Sequence, residues 1–185
     1  QIFGCVVGNL SFTYLGLPMG TSKPTVRDLM PLVYGVERRL SSTLSMISYG
    51  GKLSLLNSVI TSRIIFALWT FKLPTKIIEL LDKIRRKCLW TKKTGNGDKW
   101  NSLASWKMVC RPVKCEELSV LDLQTQSDAL LMKYLHKFYN HLDLPWVDLI
   151  WSTYYADKIR NASDPCGSFW WKDVLKLTPL YRGIS

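Results

Sequence analysis

Apolar residues recur every three or four positions along most of this chain, which is the spacing of helices that bury one face. Residues 26–44 carry such a stripe, and Thr25 and Asp28 in front of it have the spacing of a capping box. Pro31 is expected either to kink this helix or to mark its true first turn. A further helix is predicted from Thr75, as its cap, to about residue 90.

Two other segments also have helical patterns. Residues 52–68 are apolar almost all round, so this helix is expected to be buried among its neighbours, after a break at Tyr49-Gly50-Gly51. A helix with one apolar face is predicted near residues 127–141. The rest of the chain looks helical and carries Trp146, Trp151, Trp170 and Trp171. The fold class is therefore expected to be mainly α.

The first 20 residues are different, because their pattern is that of short strands. Strands are predicted over residues 2–7 and 11–19, with Gly8-Asn9 as a plausible hairpin turn between them. The glycine-rich stretch 94–98 is predicted to be a loop and a subdomain boundary. Three units are expected, namely a β-hairpin over 1–22, a helical domain over 23–93 and a helical connector over 94–185.

Charge adds a possible partner to this picture. The 185 residues include 25 Lys and Arg against 14 Asp and Glu, a net charge of +11, which favours a polyanion such as nucleic acid or an anionic membrane surface. No stretch approaches 18 uncharged apolar residues, so a membrane span is not expected. The excess charge concentrates between residues 83 and 114, and the candidate nucleic-acid ligands are Lys83, Arg85, Arg86, Lys87, Lys92, Lys93, Lys99 and Lys107.

Trp90, Trp100 and Trp106 are interleaved with these cations. Cations for phosphates and flat rings for bases or riboses are typical of proteins that hold a nucleic-acid strand. The alternative for the helical part is structural, since cations near the carboxyl end of a helix are favoured by its dipole. Tryptophans are also more often core residues than ligands.

Metal binding and catalysis receive little support from the sequence. Cys110 and Cys115 with His136 and His141 contain zinc-ligand residue types, but 20 residues separate the pairs and the histidines diverge by about 140° on a helix. The five cysteines are odd in number and irregularly spaced, which favours reduced thiols in an intracellular protein. No Asp-Asp pair, Gly-x-Ser-x-Gly or Walker-type loop is present.

Six short motifs follow one another in a specific order. They read YLGLPMG (14–20), ERRLS (37–41), SYGGKLSLLNSVITS (48–62), CLW (88–90), SWKMVCRP (105–112) and LDLQTQSDALLMKYLHKFYN (121–140). Their order and spacing closely resemble the region after the catalytic palm in reverse transcriptases of non-LTR (LINE-type) retrotransposons, especially those of plant genomes. The resemblance covers about residues 1–151.

The resemblance implies a C-terminal fragment of an RNA-directed DNA polymerase. In that family a Tyr-Leu-Gly β-hairpin is thought to hold the primer end, which makes Tyr14, Gly16 and Gly20 candidate contacts, since glycine lets backbone approach a strand closely. The helices after it resemble the polymerase thumb, so the fold becomes a thumb-like helical bundle with a small hairpin before it and a second helical segment at the C-terminus. The implied partners are an RNA–DNA hybrid or template–primer duplex and the remainder of the polymerase chain, with no membrane.

The same resemblance implies that this fragment is inactive alone. Reverse transcriptases hold two metal ions on palm aspartates, commonly in a Tyr/Phe-x-Asp-Asp turn, and this chain contains no such turn. No catalytic residue, metal ligand or cofactor is therefore assigned to it, and the parent's magnesium ions would belong to the missing palm. Localisation is expected to be intracellular, and nuclear if the parent element is active.

One matched segment departs from the family pattern. Family members usually read Gly-Gly-Leu-Gly where residues 116–119 read Glu-Glu-Leu-Ser, a change typical of a decaying element copy. Two alternatives therefore stand beside the nucleic-acid binder. One is a helical interaction or scaffold module whose basic face is only solvated, and the other is a non-functional pseudogene fragment.

Overall fold

A computed structural model describes residues 10–41, 47–94, 97–111, 118, 120–155 and 167–184. The strands are β1 (Phe12–Tyr14), β2 (Leu17–Met19), β3 (Thr91–Thr94) and β4 (Gly97–Trp100). The helices are α1 (Val26–Ser41), α2 (Tyr49–Leu55), α3 (Thr61–Thr70), α4 (Thr75–Trp90), α5 (Trp106–Val109), α6 (Leu123–Tyr139), α7 (Pro145–Tyr154), α8 (Phe169–Leu175) and α9 (Thr178–Arg182). The predicted fold class, mainly α with a small hairpin near the N-terminus, is confirmed.

The N-terminal hairpin turns at a different place from the predicted one. β1 pairs antiparallel with β2 through a two-residue turn, Leu15-Gly16, whose φ angles of 49° and 82° are both positive, as a type I′ turn requires. The prediction of one continuous strand over 11–19 is therefore wrong. The predicted strand over 2–7 and its turn at Gly8-Asn9 lie outside the described residues. Leu17 anchors the hairpin in the core.

The capping box of α1 forms as predicted. The Thr25 amide donates to the Asp28 carboxylate at 2.9 Å, and the Asp28 amide donates to the Thr25 hydroxyl at 3.4 Å. Pro31 lies well inside the helix, so it does not mark the first turn. Four of the predicted apolar positions are buried: Leu29, Val33, Val36 and Leu40.

Helices α2 and α3 form one continuous helix, joined by a π-helical segment over Leu56–Ile60. The Ser48 hydroxyl caps the N-terminus by accepting from the Gly51 amide at 3.3 Å. The two glycines of the predicted break therefore lie in the first helical turn. The Leu56 carbonyl accepts the Thr61 amide, which is the i+5 pairing of a π-helix, and it also accepts the Thr61 hydroxyl at 2.7 Å.

Only one face of this long helix is buried, so its predicted burial on all sides is wrong. Its buried residues include Leu56, Ile60, Ile64, Ala67 and Leu68, while Ser54, Ser58, Ser62, Phe66 and Trp69 are exposed. By length and composition alone, Tyr49–Thr70 could cross a membrane, a test that core helices of soluble proteins also pass. The expectation of no membrane partner therefore stays a prediction.

Helix α4 and the hairpin after it correct two local predictions. Pro74 occupies the N-cap position of α4, so Thr75 is its first residue and does not cap it through its side chain. The stretch 94–98 is not simply a loop, because β3 and β4 pair antiparallel with Thr94 opposite Gly97. The predicted apolar face of α4 is confirmed, with Ile77, Leu81 and Cys88 fully buried.

Three clusters of buried apolar residues hold the helices together. The largest combines β2, α1, α3 and α4 with Leu123 and Leu130 of α6, and Phe169 and Trp170 of α8 pack against it. A second surrounds Phe138 and Trp171 and joins α6 to the C-terminal helices. A small third cluster contains Leu56 and residues near the end of α4. The first core thus draws residues from both sides of the predicted boundary at 93/94, and that boundary stays a prediction.

Candidate nucleic-acid interface

Three lysines of α4 lie on its outer face. Lys76, Lys83 and Lys87 are exposed, and their spacings of seven and four residues place them within about 40° of one another around the helix. None of the three makes an ion pair or hydrogen bond within the described part of the chain. Their positive charge therefore faces solvent, and the exposed Glu79 lies on the same face, three residues from Lys76 and four from Lys83, without forming an ion pair with either. We call these three residues the α4 lysine row.

Arg85 points the other way, about 200° around the helix from Lys83 and Lys87. Its side chain is 0% exposed. One guanidinium nitrogen donates to the Asp82 carboxylate at 2.7 Å, and another donates to the Leu121 carbonyl at 2.7 Å. The prediction that Arg85 contacts nucleic acid is therefore corrected, since a buried guanidinium bonded in this way is not available to a phosphate.

The Asp82–Arg85 pair joins the end of α4 to the segment that leads into α6. Burial raises the pKa of Asp82 above its ordinary value, although the guanidinium groups of Arg85 and Arg86 oppose this shift. The remaining guanidinium nitrogen of Arg85, Nε, is buried without a hydrogen-bond partner. The role of Arg85 is thus structural, because it holds the backbone at Leu121 against α4.

Arg86 and Lys107 lie near one another through Trp106. The Arg86 guanidinium lies 5.8 Å from the Trp106 ring centroid, and that of Arg85 lies 5.4 Å from it. Arg86 is half-buried and its Nε donates to the Asp82 carbonyl at 3.3 Å. Lys107, next to Trp106 in α5, is exposed. Lys107 is therefore an exposed cation on the short helix that packs against Arg85 and Arg86 of α4.

The tryptophans near these cations are mostly internal. Trp90 is buried and packs against Tyr49 with ring centroids 5.8 Å apart. Trp106 is half-buried against the two arginines. Neither ring is free to stack on a base. The side chains of Trp100, Lys92, Lys93 and Lys99 lie outside the described residues, although their backbone forms the β3–β4 hairpin with Lys92 opposite Lys99.

The N-terminal hairpin contributes a separate surface. Tyr14 is 55% exposed, and Gly16 has open space where a Cβ would lie. Two clefts of about 380 Å³ each adjoin the hairpin, one of them lined also by α1 and by Arg63 and Phe66 of α3, the other by Gly20 and the start of α1. Neither lining includes an α4 residue, so the hairpin and the α4 lysine row share neither cleft.

Sequence reasoning missed two exposed cations. Lys76 precedes Lys83 by seven residues, and this helical spacing could have indicated that both share one face. Arg63 is the single charged residue within 53–71, an isolated charge that could have marked the exposed side of the long helix. It lies beside the hairpin in one of the clefts described above.

The described residues offer little support for a metal site or a reactive thiol. They contain no group of three or more His, Cys, Asp and Glu side chains that could hold a metal ion. Burial raises the pKa of Cys88 and of Cys110 to about 11, so both thiols are protonated and weakly nucleophilic at neutral pH. The His141 ring stacks on Trp151 with ring centroids 4.2 Å apart, and His136 Nδ1 lies 3.2 Å from the Tyr181 hydroxyl.

Comparison with known proteins gives one curated relative and no family. A protein of Arabidopsis thaliana described as a "putative ribonuclease H protein" is 27% identical over 129 residues, which is 67% of this chain. The chain spans about a fifth of the length of that relative. No family model matches the sequence, and no solved structure matches the fold.

Proposed function

We propose that this chain is the non-catalytic C-terminal part of a non-LTR retrotransposon reverse transcriptase, and that it binds a template–primer duplex through the α4 lysine row. The observation that carries the binding proposal is the set of three exposed lysines on one helix face, none of which forms an ion pair within the described residues. The order of the six sequence motifs supports the family. The relative's name is that of a ribonuclease, which agrees with a nucleic-acid partner.

The geometry of the lysine row suits a helical phosphate backbone. With a rise of about 1.5 Å per residue, Lys76 and Lys87 lie about 16 Å apart along the helix axis. A duplex strand carries one phosphate per about 3.4 Å along its axis, so the row spans several phosphates. Lysine ammonium groups contact phosphates without reading bases, so the binding is independent of sequence. Lys107 and Arg86 extend this contact at one end.

The hairpin provides a second contact in this proposal. Tyr14 offers an exposed ring, and Gly16 lets the turn approach a strand without the obstruction of a side chain. Because the hairpin and the lysine row share neither cleft, each acts on a different part of the nucleic acid. The fragment has no part in bond formation itself, since the metal-binding aspartates of the parent would lie in the palm.

The test compares hybrid binding by wild type and by a double variant, Lys83→Gln with Lys87→Gln. Affinity for a labelled RNA–DNA hybrid is measured by fluorescence anisotropy at several salt concentrations. Each phosphate contact contributes about 0.9 to the slope of log K against log salt, so the variant should lose about 1.8 of that slope. Its affinity at low salt should fall at least about tenfold.

The matched control removes two exposed cations elsewhere, Lys172 of α8 and Arg182 of α9, each changed to Gln. This control has the same net charge as the test variant, so a specific lysine row predicts that its slope stays close to that of wild type. An equal loss of slope in the two variants would mean that the effect comes from net charge alone and not from the α4 lysine row. No salt-dependent binding by wild type would leave the scaffold module as the better proposal.

A further inference from the structure

Four aromatic rings from four helices meet at the surface between the first and second cores. They belong to Trp69 of α3, Tyr134 of α6, Trp146 of α7 and Trp170 of α8. The Tyr134 ring centroid lies 6.5 Å from Trp69, 5.9 Å from Trp146 and 4.9 Å from Trp170. Trp69 is 47% exposed, and the other three rings are half-buried. We call these four residues the aromatic platform.

The platform is packed against other aromatic rings on its inner side, and Trp69 is open to solvent on its outer side. Trp146 and Trp170 each meet Tyr134 edge to face, and both also pack near the buried Trp171. These contacts fix Tyr134 without covering Trp69. The fold thus leaves about half of the Trp69 side chain in water. Exposing this much apolar surface is unfavourable, and a residue that served only the core would not need it.

Two lysines of α6 lie on the same helix as Tyr134 of the platform. Lys137 follows Tyr134 by three residues and so lies beside it on α6, and the exposed Lys133 lies four residues before Lys137 on the same side of the helix. Neither lysine has an ion pair within the described residues. The nearby Asp128 is already paired with Lys72 at 3.7 Å.

The acidic residue of α7 lies away from the platform. Asp148 follows Trp146 by two residues, which places it about 200° around the helix. An exposed ring beside lysines without ion pairs is a combination that proteins use to bind single strands, with a base stacked on the ring and phosphates held by the cations. A partner protein that used only the apolar rings would gain nothing from the two lysines.

We propose that the aromatic platform binds single-stranded nucleic acid, with a base stacked on Trp69 and the adjoining phosphates at Lys133 and Lys137. This site lies on α3 and α6, away from the outer face of α4, and the inference does not rest on the family proposed above. The ligand is an unpaired stretch, because a stacked base must leave its own helix to lie on an indole ring.

The experiment asks whether bases contribute to binding. A labelled oligothymidylate of about 12 nucleotides and an abasic oligomer of equal length are titrated into wild type, Trp69→Ala and Tyr34→Ala, with anisotropy as the readout. Tyr34 is a matched control, since it is an aromatic residue 60% exposed on α1. Wild type should bind the oligothymidylate about tenfold more tightly than the abasic oligomer. Trp69→Ala should abolish this preference, and Tyr34→Ala should retain it.

The lysines are tested separately. Lys133→Gln with Lys137→Gln should weaken both oligomers by a similar factor of about five to ten, because phosphates are present in both. Circular dichroism confirms that each variant is folded. Equal affinity of wild type for the two oligomers, or an unchanged preference in Trp69→Ala, would overturn the proposal. Loss of hybrid binding in the α4 variant with an intact base preference would show that the two sites are independent.

Discussion

Arg85 shows how one residue in a basic run can have a different role from its neighbours. It is four residues from Leu81 and three from Cys88, both of which are buried, so it lies on the core face of α4. Its charge is tolerated there because Asp82 and the Leu121 carbonyl accept its N–H groups. Removing the arginine leaves a partly buried carboxylate and a carbonyl without their donors.

We expect Arg85→Ala to lower the free energy of unfolding by about 3 kcal/mol, in the range found when a buried ion pair loses one partner. Urea denaturation followed by circular dichroism measures this change. Lys83→Ala is the control on the same helix, and it should change stability by no more than about 0.5 kcal/mol. Equal effects of the two substitutions would mean that Arg85 is not the structural residue inferred from its burial.

The residue scale is also where sequence reasoning about the site was weakest. Lys83 and Lys87 are exposed as the binding prediction requires, whereas Arg85 between them is internal. Composition cannot separate these residues, because a run of cations has the same charge whichever way each side chain points. The helical period can separate them, since Arg85 continues the apolar face. The identity of the buried acceptors depends on tertiary contacts across 36 positions, which the sequence does not reveal.

At the scale of elements, the N-terminal turn contains a residue that fits it poorly. Leu15 has a φ of 49°, and leucine pays a steric cost in this region that asparagine and glycine largely avoid. Its side chain is 70% exposed, so it contributes little buried apolar area in return. We expect Leu15→Asn to raise the free energy of unfolding by about 0.5–1 kcal/mol. At about 2–4 °C per kcal/mol, this corresponds to a rise in Tm of about 1–4 °C.

Gly16→Ala provides the opposite test in the same turn. A Cβ at Gly16 would meet no atom within 4 Å, so a loss of stability would come from its φ of 82° and not from a clash. Thermal unfolding should show that the free energy of unfolding of Gly16→Ala is about 1 kcal/mol lower than that of wild type. If Leu15→Asn destabilised the protein instead, the leucine side chain would have to make contacts that matter more than its backbone strain.

Helices were predicted well because each is specified by its own apolar spacing. The capping box of α1 and the buried face of α4 follow from residues within a few positions of each other. The β3–β4 hairpin was missed because Gly95-Asn96-Gly97 indicates a loop. The paired segments 91–94 and 97–100 also lack the alternation of apolar and polar residues that predicts strands. The burial of 52–68 was overestimated, since its serines and Arg63 already marked one face as polar.

At the scale of the whole molecule, contacts join the two ends of the described chain. Asp173 of α8 forms an ion pair with Lys23, which precedes α1, and another with Lys176 at 2.9 Å. Phe169 of the same helix stacks on Phe71, with ring centroids 6.4 Å apart. These contacts tie the C-terminal helices to the first core. No local pattern announces them, because the paired residues Lys23 and Asp173 are 150 positions apart.

Asp173→Asn should loosen this connection without unfolding the first core. Burial opposes ionisation, but the hydrogen bonds from Lys23 and Lys176 prevail and hold the pKa of Asp173 below its usual value of 3.8. Its contribution to stability is therefore fully present above about pH 4, and it is lost as the pH falls below that value. We expect a loss of about 1–2 kcal/mol at pH 7, at the low end for charge-assisted hydrogen bonds because both lysine partners are exposed, and a smaller difference from wild type at pH 3.

Hydrogen exchange followed by mass spectrometry locates the effect. Peptides from α8 should exchange faster in Asp173→Asn than in wild type at pH 7, while peptides from α4 should stay unchanged. Lys172→Gln is the control, because Lys172 is an exposed cation on α8 without an ion pair within the described residues. Faster exchange in α4 as well would mean that the C-terminal helices and the first core open together, as one cooperative unit and not as two.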